Sequence, residues 1–173
     1  ISPRYRFSDQ FSLNYSIDYS QQENNLGFVG NNDMTNEIFM GRRDRSTYIN
    51  SIQGKFTINS DMNFNLSLRH YLSYATYNQY YRLQNDGTLM PTSNFTQNSN
   101  SNFNAWNLDL SYSWWFAPGS QISILYRNNA ALFENEFKRD LGSNLRNVID
   151  KEALNHVFSV SVRYFIDYNS FKK

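Results

Sequence analysis

The residues able to do chemistry in this 173-residue sequence are few and scattered. His70 and His156 are the two histidines, and there is no cysteine. The two imidazoles stand on separate alternating segments, with no second ligand at the spacing a zinc site uses. Asp18, Asp109 and Asp167 alternate onto the same side as Arg69, Arg127 and Arg163. Two carboxylates in a wet channel could do acid–base work on a glycoside. The same pattern also describes charge pairs and hydrogen bonds bracing a lumen, and that is the reading adopted. Asp33 and Asp44 could meet calcium, but at no specific spacing. The run Arg42-Arg43-Asp44-Arg45 suits lipopolysaccharide phosphate or, equally, a solvated loop–strand junction. No Ser–His–Asp order, phosphate-binding loop or glycine-rich fingerprint occurs. No catalytic, cofactor-binding or metal residue is therefore assigned, and neither an enzyme activity nor a cofactor is expected.

The elements that position these residues repeat with a period of two. In FSLNYSIDYS, residues 11–20, Phe11, Leu13, Tyr15, Ile17 and Tyr19 take one side, and Ser12, Asn14, Ser16 and Asp18 the other. Successive side chains leave opposite faces of an extended backbone, so this is a strand. The same alternation predicts strands over residues 3–7 (a stub), 11–22, 46–59, 62–81, 105–116, 121–129 and 155–168. Ser8-Asp9-Gln10, Ser60-Asp61 and Ala117-Pro118-Gly119-Ser120 read as tight turns. The intervening connections are long and polar: QENNLGFVGNNDMTNE, the stretch from Arg82 to Asn104, and that from Ala130 to Leu154. The Asn-rich NFTQNSNSNFN in the second reads as a mobile loop.

Short turns at one end and long loops at the other are the asymmetry of outer-membrane barrels. Composition agrees: aromatics make up 17% of the chain and charged residues 18%, below the usual quarter. The polar alternate positions are mostly Ser, Asn and Asp, which hold the mean hydropathy at −0.67. Net charge is +1, so no long-range field favours nucleic acid or an acidic substrate. No apolar run reaches the length of a membrane-spanning helix. Among the aromatics, Phe7, Phe11, Trp114, Phe116, Tyr164 and Tyr168 gather near the short turns. Tyr19, Tyr48, Tyr74, Tyr77, Tyr80 and Tyr81 gather near the loops, giving two interfacial girdles. His70 falls on the apolar side near the outer interface. The start ISPRYRFSDQ carries neither a signal peptide nor an initiator Met, so the chain is either mature or a piece of a longer one.

Six strands and a stub cannot close around a lumen, so the expectation is an all-β, antiparallel up-and-down transmembrane β-barrel of which residues 1–173 are the C-terminal strands. The runs GRRDRSTYINSIQGKFTINSDMNFNLSLRHYLSYATYNQYY, LQNDGTLMP and NHVFSVSVRYFIDYNSF carry a family resemblance. On them the chain resembles the C-terminal region of the DUF5916 family of Bacteroidota. The resemblance implies an outer-membrane barrel linked to an N-terminal, family-9-like carbohydrate-binding domain, none of whose residues lie in this sequence. The function expected is a pore or membrane anchor in the bacterial outer membrane, with long loops extracellular, linked to carbohydrate binding or uptake through that other domain. Expected partners are the lipid bilayer and lipopolysaccharide, and other strands of the same barrel or of another outer-membrane protein; nucleic acid is not expected. Alternatives are the C-terminal strands of a TonB-dependent receptor, a soluble secreted glycan-binding β-sandwich, or a client held by a barrel-assembly machine.

Overall fold

The alternating segments pair in sequence order into one antiparallel, up-and-down sheet. A computed structural model describes residues 1–136, 140–150 and 154–166. The strands are β1 (Arg4–Arg6), β2 (Phe11–Asn32), β3 (Glu37–Thr57), β4 (Met62–Leu83), β5 (Leu89–Pro91), β6 (Ser101–Ala117), β7 (Ser120–Glu134) and β8 (Asn155–Arg163), with one helix, α1 (Leu141–Asp150), between the last two. Their spatial order is β1-β2-β3-β4-β6-β7-β8, and β5 pairs with β4 beyond the end of β6. Among the described residues no ladder joins β1 to β8, so the sheet is open.

Register sorts the side chains into two faces. Phe11, Phe56, Phe64, Tyr112, Ile124 and Val160 form one continuous row across six strands. Two residues along each strand lie Leu13, Gly54, Leu66, Leu110, Tyr126 and Phe158. The opposite face carries rows such as Asn14, Gln53, Ser67, Asp109 and Arg127. A one-residue slip would exchange the two faces, so this separation is itself what fixes register.

The short turns fall at one end. Ser8 Oγ accepts from the amides of Gln10 and Phe11, Asn59 Oδ1 accepts from the Asp61 amide, and Pro118-Gly119 turns β6 into β7. Gly119 has φ +75°, which its position after Pro118 requires, and a Cβ there would lie 2.8 Å from that of Phe165.

At the other end the strands run further than alternation indicated. The expected strand over 11–22 continues to Asn32, and that over 46–59 begins at Glu37 and ends at Thr57, so QENNLGFVGNNDMTNE is mostly hairpin, not loop. Only Asp33–Asn36 turn the chain, with Asn36 at φ 54° and Asn32 Oδ1 accepting from the Met34 amide. This extension is interrupted by bulges at Gln22/Asn25 and Phe28/Gly30, which erase the two-residue rhythm. Likewise β6 begins at Ser101 rather than 105, and β7 starts at Ser120 and runs to Glu134 rather than 121–129. The stub is Arg4–Arg6, β4 extends two residues past 81, and β8 ends at Arg163 instead of 168. Asp167 and Tyr168 lie outside the described residues.

Candidate functional site

The apolar face is built from side chains that β-sheets favour, and their rows order them by height. At the short-turn end Tyr5, Phe7, Phe11 and Phe56 form a chain of ring contacts, Phe64 meets Tyr112, and Trp114, Phe116 and Tyr164 continue the belt. Eight residues further along β2, Tyr19 packs on Tyr48, and Tyr48 on Tyr74. Between these belts lie Leu13, Leu66, Leu110, Ile52, Leu68, Leu108 and Ile17. Among the described residues no Asp, Glu, Lys or Arg falls on this face between the Phe11 and Tyr19 rows. Much of it is uncovered: Leu110 is 40% exposed, Val160 55% and Phe158 70%.

At the upper belt, α1 lies on this same face. Asp140 caps it, with Oδ2 accepting from the Ser143 amide, and hydrogen bonds first from the Ser143 hydroxyl and then from its amide hold the Asp140 carboxyl below its ordinary value. Val148, Leu72 and Leu132 are buried together with Asn102, Asn104 and Asn144. Asn102 Nδ2 donates to Asn144 Oδ1 at 2.8 Å, Asn104 Nδ2 donates to the Asn144 carbonyl, and Asn144 Nδ2 donates to the Asp140 carbonyl at 2.7 Å. His70 is on the expected face, but it is 3% exposed instead of facing the interface. Its Nε2 lies 2.8 Å from Asn104 Oδ1. Because the Asn104 amide nitrogen is committed to α1, that oxygen accepts and His70 Nε2 carries the proton. Neither this network nor α1 was visible in the alternation, because asparagines at apolar-side positions break it.

The second polar connection folds onto the opposite face. Phe95 packs on Phe39 and Tyr80 and against the bare backbone of Gly30. Asn100 Oδ1 accepts from the Tyr77 amide, and Tyr80 donates to the Gln97 carbonyl and accepts from the Ser99 amide. NFTQNSNSNFN, expected to be a mobile loop, is thus tied down at several points, and its last four residues begin β6.

The candidate acids and bases are not gathered into one centre. Asp109 accepts from Arg127 Nε at 2.7 Å and from Nη2 at 2.8 Å, a two-pronged ion pair across adjacent strands. Asp18 lies three strands away on β2, beyond the separation at which two carboxylates share a glycosidic bond. His156 Nδ1 lies 2.8 Å from the Tyr126 hydroxyl, on a different strand from His70. The arginine run alternates across the sheet. Arg43 donates to Asn25 Oδ1 and to the Tyr77 hydroxyl, and Arg45 to Ser73 Oγ, on one face; Arg42 donates to Gln79 Oε1. Asp44 accepts from the Asn24 amide and from Asn78, which together hold its carboxyl below the usual range. Asp33 accepts from Asn31 Nδ2. Among the described residues no three His, Asp or Glu side chains cluster as metal ligands.

What the arrangement offers chemically is therefore two extended surfaces of opposite character, not a pocket with convergent reactive groups. Neither a curated protein nor a solved structure matches the chain. The family described as "Domain of unknown function (DUF5916)" matches residues 1–173, and the chain belongs to it.

Proposed function

We propose that residues 1–173 are part of the wall of an outer-membrane β-barrel that forms a pore or membrane anchor, with the apolar face toward lipid and the polar face toward a wet lumen. The observation that carries this is the charge-free face bounded by two aromatic belts. Eight residues at ~3.3 Å each, tilted by ~40°, place the belts roughly 20 Å apart, close to the apolar band such barrels present to lipid. Tyr and Trp favour the two headgroup levels, and a cation at the midplane costs about 2–4 kcal/mol. On this reading the bilayer and, at the outer rim, lipopolysaccharide are the partners, and the long connections are extracellular. A β-sandwich needs a second sheet on the apolar face; among the described residues only α1 lies there, at the upper belt.

The open edges fit a wall that other strands complete. β1 and its flanking backbone bonds cover β2 only as far as Ile17, and the outer edge of β8 is unpaired among the described residues. Seven strands lie along the path, so β1 and β8 run in the same direction. Antiparallel closure therefore takes an odd number of further strands between them. Full-length protein should need detergent to remain monodisperse, and should migrate differently on a gel before and after boiling. Monodispersity in plain buffer, or identical migration, overturns the barrel reading.

A further inference from the structure

We infer that the polar face, over the half nearest the short turns, is an anion-attracting wall whose ligand class is a small oxyanion, carboxylate or phosphate. The face and its charge come from the register; that solutes reach it rests on the barrel reading above. Register places Arg4, Arg6, Lys55, Arg69, Arg127 and Arg163 on this face. The acids there are Asp18 and Asp109, with Asp9 and Asp61 at the adjoining turns. Two of the four are paired with arginines, Asp9 with Arg6 at 2.9 Å and Asp109 with Arg127 at 2.7 Å. Among the described residues no ion pair engages Arg4, Lys55 or Arg69.

The unpaired cations lie in two depressions that share Ser67. One, of about 650 Å³, has Arg4 and Lys55 set among Ser12, Asn14, Gln53 and Asn65. The other, of about 350 Å³, brings Arg69 beside the Asp109–Arg127 pair with Asn107 and Asn129. Two guanidinium groups face one carboxylate in the second, and two cations face none in the first. Guanidinium forks, an ammonium and hydroxyl or amide donors are the groups that bind carboxylate and phosphate oxygens. Lys and Arg lining a wet, low-dielectric channel also select anions. At the far end of the strands Glu23, Asp33, Glu37, Asp44 and Asp86 are nearly matched by Arg42, Arg43, Arg45 and Arg82. The half nearest the short turns therefore carries more cations than carboxylates on its polar face.

The test uses the full-length protein in planar bilayers under a potassium chloride gradient, with gel migration before and after boiling run on the same preparation. The expected reversal potential lies on the anion side. It shifts toward the cation side in Lys55→Glu/Arg69→Glu, two positions exposed on the polar face, and inorganic phosphate reduces the current of the parent protein more than that of the variant. A parent protein that prefers cations or neither ion, or a variant with unchanged selectivity, overturns the inference. Heat-modifiable protein that carries no current overturns it too while leaving the barrel intact. Protein that is not heat-modifiable overturns the barrel reading itself.

Discussion

Asn144 shows how much one residue can hold. Its side chain and carbonyl take the amides of Asn102 and Asn104, and it is fully buried. Asn144→Ala leaves the Asn102 amide unpartnered, at a cost of about 1–3 kcal/mol. Hydrogen exchange should then rise in α1 and stay unchanged at the short turns. Gly41 is a second such point: a Cβ there would lie 2.4 Å from Tyr77 Cδ1 and 2.7 Å from Val29 Cγ1. Gly41→Ala must displace the ring that stacks beneath Arg43, destabilising by about 1–3 kcal/mol, and Tyr77→Ala should relieve part of that in a double-mutant cycle. Asp44 ties pH to the hairpin. Its carboxyl sits below its ordinary 3.8, first because the Asn24 amide donates to it and then because Asn78 does. A depressed carboxylate stabilises the fold fully above the unfolded pKa, and that contribution disappears as pH falls through the folded one. The Asn24 amide signal should therefore titrate below pH 3.8; a midpoint above it contradicts the contact.

At the scale of elements, the extended hairpin of β2 and β3 is the largest difference between expectation and structure. Its backbone ladder continues past Gln22 because β3 and β4 are paired alongside, not because its own residues favour a strand. Glu37 accepts from Arg82 at 2.8 Å, tying the hairpin to β4 near its tip, and Arg82 is the first cause of the lowered Glu37 carboxyl. Met34 at the tip is 97% exposed. An epitope inserted between Met34 and Thr35 should be tolerated and, on intact cells, bind antibody; the same insertion between Ser60 and Asp61 should bind only after the outer membrane is opened. Reversed labelling contradicts the proposed orientation. The short turns were legible because Pro118-Gly119, Ser8-Asp9 and Ser60-Asp61 encode them locally. α1 was not, since its amphipathic face is matched to a sheet surface that exists only once β4, β6 and β7 have paired.

At the scale of the whole molecule, the two faces make opposite demands on neighbouring residues. Leu110 and Ser111 are adjacent on β6 but point to opposite sides. Leu110→Arg should abolish the heat-modifiable form, since a lipid-facing Arg near the midplane costs about 2–4 kcal/mol, while Ser111→Arg should retain it. Equal effects of both variants contradict the assignment of faces. The sequence by itself determined that the chain is a series of strands, where their short turns lie and which residues share a face in the halves nearest those turns, because a period of two is a property of the extended backbone alone. Beyond the bulges it did not fix the face, and Tyr77 and Tyr80 lie on the face opposite Tyr19, Tyr48 and Tyr74. Only the tertiary structure decided how far each strand runs, that α1 covers His70's surroundings, that Phe95 anchors a polar connection, and that Arg4, Lys55 and Arg69 gather on one surface. Those features depend on cross-strand neighbours tens of residues apart, and register, not composition, brings them together.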